Sequence, residues 1–386
     1  MKLKANSKTL SQALQFVIGA VGKSTLHILS HVHIRASNGC MTMRCTDLSL
    51  TISSNTKEVT IEEEGLITVD AKRLLSILRS FPENEVSMTL DGNKLIVKCA
   101  RSRFSLMTMN AEDYPVLDEK AYDYSFIVNG QQLMTALKSV IHAVGINDAR
   151  HYLNGVFFDL SEQGKLNIVC TDGHRLAMES IADIVHDLVD DQNQDDTHES
   201  KIDSFIVHAT YIHLLIKTLK DMASDEDVCV RYNKNSMMID QGVVCFSSNF
   251  IDGKFPDYRR VLPNTSLEGV VSAVILRESL LDAVQRSQII LDKNVTAQAT
   301  TFLFFGNEVS IECGNSNNEA NESVELPFAV DRDCDTHLNG DYVIQALQSF
   351  DTESVMFTIG SLQSPVLIQP IEGDGKRVIM TMRLHG

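Results

Sequence analysis

ALQFVIGAVG, residues Ala13–Gly22, decides the fold because a second version of it, ALKSVIHAVG, follows at Ala136–Gly145. The two decapeptides agree at seven of ten positions, with an offset of 123 residues. MTMRCTD (Met41–Asp47) recurs as LNIVCTD (Leu166–Asp172) with an offset of 125 residues. Chance similarity among Leu- and Val-rich segments would not preserve the order of these matches. The chain therefore repeats one unit.

A third copy is fainter. LRSFPENEV (Leu78–Val86) matches LQSFDTESV (Leu347–Val355), and LKDMASDEDV (Leu219–Val228) is the middle counterpart. VSIECGN (Val309–Asn315) corresponds to the two strands that end in CTD. We predict three diverged domains of about 125 residues each, at 1–122, 123–264 and 265–386.

Each copy has the same pattern of secondary structure. Apolar residues spaced by three and four, such as Leu10, Leu14 and Val17, predict a first helix, and Gly22 and Gly145 are its expected C-caps. Alternating strands and a second helix follow, the latter at 71–81, 210–222 and 342–350. This pattern predicts an α+β fold, with two helices packed on β-sheet in every copy. We expect the acidic stretch 183–203 to be a solvated insertion.

Composition excludes several classes of protein. With 51 acidic and 34 basic residues, the net charge is -17, which argues against a uniformly basic nucleic-acid protein and against binding to anionic membranes. A local basic patch remains compatible with that total. The N-terminus lacks an apolar signal segment, so we expect a cytoplasmic protein. The eight cysteines form no CxxC pair and are expected to be buried thiols on strands.

TDGHRLA (Thr171–Ala177) is the one segment that suggests an active site. Asp172 and His174 could act as acid and base or bind a metal, but a metal site needs three or four converging ligands. The sequence contains no P-loop, GxSxG or GxGxxG motif. We therefore expect no catalytic residues, no metal and no cofactor.

Several motifs together resemble a known family, the bacterial DNA sliding clamp, which is the beta subunit of the replicative DNA polymerase. They are YLNGV (Tyr152–Val156), TDGHRLA, FPDYRRVLP (Phe255–Pro263), SPVLIQP (Ser364–Pro370) and VIMTMRL (Val378–Leu384). The family usually has Pro at the position of Thr381 and ends near Leu384, whereas this chain continues to Gly386.

The resemblance implies a processivity factor that is not an enzyme. A head-to-tail homodimer would form a ring of six domains around double-stranded DNA, without sequence preference. The DNA polymerase III alpha subunit, the clamp loader, other DNA polymerases and repair proteins would bind by short peptides between the second and third domains. The groove residues implied by the family are Tyr152, Leu153, Thr171, Gly173, His174, Arg175, Leu176, Pro256, Arg260, Val261, Asn339, Tyr342, Met380, Thr381, Met382 and Arg383.

Helix spacing supports two chains per ring. Six helices at about 10 Å spacing would leave a hole of only ~9 Å, whereas twelve leave ~28 Å. B-DNA is roughly 20 Å wide, so only the larger hole admits it. Basic residues also concentrate on the helices of the first two copies. The residues expected to face DNA are Lys23, Lys72, Arg73, Arg79, Lys138, Lys217 and Lys220.

Ring closure requires a contact between the first copy of one chain and the third copy of its partner. The strand SRFSLMTM (Ser102–Met109) alternates apolar and polar residues, as an edge strand with one apolar face does. Alternatively, Phe104 and Leu106 are core residues of copy one. The interface residues that we expect are Arg101, Arg103, Phe104, Leu106, Ile289, Ile290, Glu319 and Glu322. The other functional hypothesis is a repeat-built scaffold that recruits proteins by short peptides without encircling DNA.

Overall fold

The computed structural model describes residues 1–22, 26–115, 121–188, 202–221, 226–264, 269–291, 299–314, 318–360 and 364–383. Within these ranges the chain forms 26 strands and six α-helices, and one order of elements recurs three times. In the third copy, the described residues include no counterpart of the short fifth strand of the other two copies. The predicted α+β fold with two helices per copy is confirmed.

Copy one contains β1 Lys2–Asn6, α1 Ser7–Val17, β2 His31–Ser37, β3 Cys40–Thr46, β4 Leu50–Thr56, β5 Thr60–Glu63, β6 Gly65–Asp70, α2 Ala71–Ser80, β7 Glu85–Asp91, β8 Lys94–Cys99 and β9 Ser102–Met109. Copy two contains β10 Tyr124–Asn129, α3 Gly130–Val140, β11 Gly155–Asp159, β12 Lys165–Thr171, β13 Arg175–Ala182, β14 Val185–Leu188, β15 Ser204–His208, α4 Ala209–Asp221, β16 Asp227–Tyr232, β17 Ser236–Asp240 and β18 Val244–Asn249. Copy three contains β19 Val271–Leu276, α5 Arg277–Ser287, β20 Ala299–Phe305, β21 Glu308–Gly314, β22 Glu319–Glu325, β23 Cys334–Asn339, α6 Gly340–Gln348, β24 Ser354–Ile359, β25 Val366–Pro370 and β26 Lys376–Ile379.

The helices are amphipathic and begin at polar caps. The side chain of Asn6 accepts a hydrogen bond from the backbone of Lys8 at the start of α1, and Asp70 caps α2 through Arg73 in the same way. Leu10, Leu14 and Val17 are buried on one face of α1, as the spacing predicts.

The predicted glycine caps are wrong. α1 and α3 end at Val17 and Val140, and each continues into a 3₁₀ turn, Ile18–Ala20 and Ile141–Ala143. Gly22 and Gly145 do not have the left-handed backbone of a C-cap. They are glycines because of close packing: a Cβ on Gly145 would lie 3.0 Å from the carbonyl oxygen of Leu153, and one on Gly22 would lie 3.2 Å from Cβ of Asp47.

The chain forms two compact units. The first comprises Met1–Gln131, Val185–Ile202 and His213–Phe250, and it holds one sheet of 14 strands. The second comprises Gln132–Ile184, Asp203–Ile212 and Ile251–Gly386, and it holds a sheet of eight strands and a sheet of four. All described strand pairs are antiparallel, and the core of the third copy lies between α5, α6 and these two sheets.

Each unit contains one joint between copies of the repeat. In the first unit, β18, the last strand of copy two, pairs with β4, the fourth strand of copy one, so that Val244 lies opposite Ser54. In the second unit, β26 of copy three pairs with β13 of copy two, with Arg175 opposite Ile379. Both joints use the same two positions of the repeat, and each extends a sheet from one copy into the next.

Two further predictions are settled by the strands. The stretch 183–203 is not irregular throughout, because Val185–Leu188 forms β14 and pairs with β10, in the position that β5 has in copy one. The remainder, from 189 to 201, lies outside the described residues. All eight cysteines are free thiols on strands and are buried or half-buried, as expected. No helix among the described residues is long and apolar enough to cross a membrane.

Candidate peptide groove, basic helices and open strand edges

The TDGHR segment is a tight turn between β12 and β13. One carboxylate oxygen of Asp172 accepts hydrogen bonds from the backbone amides of His174 and Arg175, at 2.9 and 3.0 Å. Its other oxygen lies 3.0 Å from Nε of Arg175. Gly173 has a φ of +90°, which a residue with a side chain rarely adopts. The Asp172 carboxylate thus holds the turn together, which favours a structural role over acid–base chemistry.

Arg175 is the best-fixed of the implied groove residues. Its guanidinium carbon lies 4.2 Å from the ring centroid of Tyr342, and Nη1 donates to the side-chain oxygen of Gln345 at 2.5 Å. Asn339 caps α6 by accepting from the amides of Asp341 and Tyr342, at 3.0 and 3.4 Å. The start of α6 in copy three is therefore joined to the turn in copy two.

An apolar cluster lies beside this turn. Leu176 and Tyr258 are buried in it, and Tyr152 and Leu262 pack against it half-buried. Leu153 is also buried and donates its amide to the carbonyl of Arg150. Leu176, at 4% exposed, therefore lies beneath the surface, and a ligand would first meet Met380 and Val261, which are 40% and 37% exposed.

The C-terminal segment is anchored along the same surface. The amide of Met380 donates to the carbonyl of His174 at 2.9 Å, and the amide of Met382 donates to that of His337 at 2.8 Å. Neither bond uses the amide of Thr381, so they do not prevent the proline usual in the family at that position. Thr381 and Met382 are half-buried and Arg383 is exposed, whereas residues 384–386 lie outside the described part.

The remaining implied groove residues are exposed or form contacts with residues near them in sequence. His174 and Pro256 are exposed. Arg260 forms an ion pair with Asp257 at 2.9 Å. Thr171 accepts from the amide of Gly173 and donates to the carbonyl of Arg175, within the turn itself.

Sequence reasoning missed Gln345 and Arg377. Gln345 lies three residues after Tyr342 on α6, so helical spacing could have placed both on the same face. Arg377 is 1% exposed and donates to the carbonyl of Met178 at 2.8 Å and to Glu179 at 3.2 Å, and it stacks on the ring of Phe350. A lysine or arginine in a strand usually lies on the solvent face, so the sequence does not indicate that Arg377 is buried.

His142 is half-buried near this joint. Burial, followed by the positive charges of Arg377 and Arg175, lowers the pKa of His142 to about 3. The imidazole is therefore neutral at physiological pH. Its Nδ1 has no hydrogen-bond partner among the described residues.

The basic residues predicted to face DNA are exposed on their helices wherever the structure describes them. On α2, Lys72, Arg73 and Arg79 are opposite the buried face of Leu74, Leu75 and Leu78. Lys138 on α3 and Lys217 and Lys220 on α4 are exposed in the same way. Lys23 lies outside the described residues.

Two strand edges lack the partners that their counterparts have. Over Ser102–Met107, β9 pairs with β8 alone in the described part of the chain, and β22 pairs with β21 alone. These strands correspond to the two that form each joint, since β9 matches β18 and β26, and β22 matches β4 and β13. Phe104 on β9 is 38% exposed and contacts Phe81, so the alternative that it is an ordinary core residue is wrong, although Leu106 is half-buried.

Exposed apolar and charged residues flank both edges. Ile289 is 79% exposed and Ile290 is half-buried, in a 3₁₀ turn that follows α5 rather than in the helix itself. Arg101 and Arg103 are exposed beside β9, and β22 carries Glu319, Glu322 and Glu325. Glu322 already pairs with Arg286 of its own chain at 2.7 Å.

Comparisons with known proteins agree with this architecture. Residues 1–118 match the family of the DNA polymerase III beta subunit, N-terminal domain, and residues 127–257 match its central domain. A protein named beta sliding clamp from Proteus mirabilis is 29% identical over 388 residues, with 100% of both chains covered. The crystal structure of the DNA polymerase III subunit beta from Pseudomonas aeruginosa superimposes with a TM-score of 0.89, at 28% identity and with 100% of both chains covered. A sliding clamp of that organism bound to griselimycin superimposes with a TM-score of 0.88, at the same identity and coverage.

Proposed function

We propose that this chain, which belongs to the bacterial DNA polymerase III beta subunit family of sliding clamps, closes with a second copy into a ring around double-stranded DNA. As in its relatives, its role is that of a processivity factor, an accessory subunit without catalytic activity of its own. The boundaries 1–122, 123–264 and 265–386 remain our prediction for its three domains. A protein that acts on replicating DNA works in the cytoplasm of a bacterium.

The observation that carries the ring is the pair of open edges. Both joints inside the chain pair the last strand of one copy with the fourth strand of the copy before it. The last strand of copy one, β9, and the fourth strand of copy three, β22, have no such pairing among the described residues. An unpaired strand edge exposes a row of hydrogen-bonding groups. Because the two edges are different surfaces, they join head to tail, and two such contacts close a ring of two chains. This favours the clamp over a scaffold that does not encircle DNA.

The open edges are complementary in charge and in apolar surface. Arg101 and Arg103 lie beside β9, and Glu319 and Glu322 lie on β22. Phe104 and Leu106 on one side and Ile289 and Ile290 on the other supply apolar contact, which contributes most of the association free energy. Ion pairs at the rim determine register more than affinity.

The basic helix faces contact the DNA backbone. Lys72, Lys138 and Lys217 are exposed on three different helices. Their ammonium groups bind phosphates, which are the same at every base pair, so the contact has no sequence preference. A few scattered cations bind weakly enough for the ring to move along the duplex.

The groove beside the TDGHR turn takes an extended peptide from the polymerase alpha subunit, the clamp loader or a repair protein. Arg175 is held by Asp172, Tyr342 and Gln345, so it offers a fixed polar wall. Met380 and Val261 offer exposed apolar surface, and methionine adapts to different ligands.

Mass and peptide binding test this proposal. Analytical ultracentrifugation should give a species of twice 42.9 kDa, and a monomer at micromolar concentration would contradict the ring. A peptide rich in Gln, Leu and Phe should lose at least tenfold in affinity when Met380 and Val261 are both replaced by Lys. These residues are better targets than buried Leu176, where a lysine would disturb folding. Val243→Lys, an exposed site on copy two, should bind the peptide normally.

A further inference from the structure

A cavity in copy one has a charge pattern that the proposed clamp function does not use. It is formed mainly on strands β2 and β3, where His33 lies opposite Arg44 and Arg35 opposite Thr42. Its lining includes His33, Arg35, Thr42, Arg44, Glu64 and Leu66. Two guanidiniums therefore flank one imidazole in a concave site.

Two polar groups in this cavity are buried without a partner. Nε2 of His33 and Nε of Arg44 have no hydrogen bond within the described part of the chain. The imidazole is also held in place, since Tyr114 stacks on it with 5.1 Å between the ring centroids. A buried polar group without a hydrogen bond costs free energy, so the site is prepared for an acceptor from outside.

The lining of the cavity has a net charge of +1. Neither Arg35 nor Arg44 forms an ion pair with any residue that the structure describes. Glu64 is the one acidic residue of the lining, and it accepts a hydrogen bond from the amide of Asn38 at 2.7 Å. Burial, then Arg44 and Arg35, lower the pKa of His33 to about 4, so His33 adds no charge at neutral pH.

Leu66 connects this cavity to a second one of mixed polarity. It lines both the basic cavity and a second one, whose walls include Leu90, Met109 and Ala111. Leu66 and Met109 are exposed, so the apolar surface is open to a ligand. The basic site on copy one therefore has exposed apolar side chains beside it, at Leu66 and Met109.

We propose that this surface binds an extended segment of a partner protein, with an acidic side chain between Arg35 and Arg44 and an apolar residue at Leu66. A single carboxylate neutralises the net charge of +1, whereas a phosphate dianion would leave the site negative. Guanidinium–carboxylate bonds are among the stronger hydrogen bonds of proteins. The carboxylate would also supply acceptors for the unpartnered nitrogens of His33 and Arg44.

The test uses two fluorescein-labelled heptapeptides of Gly and Ser, one with Glu-Leu and one with Gln-Leu at its centre. Fluorescence anisotropy with the full-length protein should show at least tenfold tighter binding of the Glu peptide. Arg44→Gln should remove that preference. Lys57→Gln removes an exposed charge elsewhere on copy one and should preserve it. The Met380→Lys, Val261→Lys double variant should also preserve it, which separates this site from the peptide groove.

Circular dichroism establishes that Arg44→Gln is folded, and Arg35→Gln serves as the second variant if it is not. Equal affinity for the two peptides, no binding at millimolar concentration, or a preference that survives both arginine variants would overturn the proposal.

Discussion

The joints inside the chain and the open edges of copies one and three are built from the same strand positions. β4 with β18 and β13 with β26 are paired, whereas β22 and β9 have no corresponding partner in the described part of the molecule. Damage to a paired joint should therefore lower the free energy of unfolding of one chain. Damage to an open edge should lower association and leave the fold intact.

The paired joints also differ from each other. The β18–β4 joint is rich in serine and asparagine, with Ser53, Ser54 and Asn55 on the copy-one side. The β13–β26 joint buries Arg377 and lies next to Arg175 of the groove. The second joint thus lies beside the candidate groove, whereas the first does not.

The largest effect is expected at an open edge. Ile289→Ala with Ile290→Ala removes apolar surface that we assign to the interface, and two such truncations should weaken dimerisation by about 4 kcal/mol, or roughly a thousandfold. Sedimentation at nanomolar to micromolar concentration measures this, and far-UV circular dichroism checks the fold. A double variant that stays dimeric at nanomolar concentration would place the interface elsewhere.

At the β13–β26 joint, Arg377→Met should destabilise the chain by about 3 kcal/mol, because hydrogen bonds to Met178 and Ser349 are lost and Glu179 keeps an unpaired charge. Urea unfolding measures the change, with Lys376→Met, its half-buried neighbour, as the matched control. A loss of dimerisation without a loss of stability would contradict the distinction between joints and edges.

Acid should weaken the same joint through His142. Its pKa is about 3 in the folded chain and about 6.5 in the unfolded chain, so the unfolded state binds the proton first as the pH falls. The stability contribution of neutral His142 is complete above pH 6.5 and should decrease by about 2 kcal/mol at pH 5. His142→Asn should show a correspondingly smaller loss between pH 7.5 and 5. The pKa of His33 is lowered as well. The unmodified protein and His142→Asn are therefore compared with each other at each pH, since His33 is present in both.

The smallest effect is expected at the β18–β4 joint. The side chain of Asn55 donates to the carbonyl of Gly242 and accepts from Thr42, so Asn55→Ala should destabilise the chain by about 1 kcal/mol. Lys57→Ala, exposed two residues away, should leave the urea midpoint unchanged. Equal midpoints for the two variants would mean that these bonds do not support the joint.

The repeat and the strand β9 could be predicted from the sequence, whereas the ends of α1 and α3 and the strand β14 could not. Recurrent segments such as ALQFVIGAVG and ALKSVIHAVG revealed the repeat. The alternation of apolar and polar residues predicted β9 with its correct bounds, Ser102–Met109. The ends of α1 and α3 were missed because glycine serves both left-handed turns and close packing, and here packing against Asp47 and Leu153 requires it. The β14 strand was missed because acidic residues obscured its alternation.

The candidate groove was predicted only in part, since burial depends on tertiary contacts. Resemblance supplied Leu176 and Arg175, but only the structure showed that Leu176 is buried and that Gln345 and Tyr342 fix Arg175. Arg377 could not be inferred, because its partners at Met178, Glu179 and Ser349 are distant in sequence.

Retention on DNA of different topology tests the ring most directly. The protein is loaded by a clamp loader with ATP onto a nicked circular plasmid, isolated by gel filtration, and followed after a restriction enzyme linearises the circle. A closed ring of two chains should remain with the circle and leave the linear DNA by sliding off its ends. Equal retention on circular and linear DNA would contradict encirclement and would favour a scaffold bound to the side of the duplex.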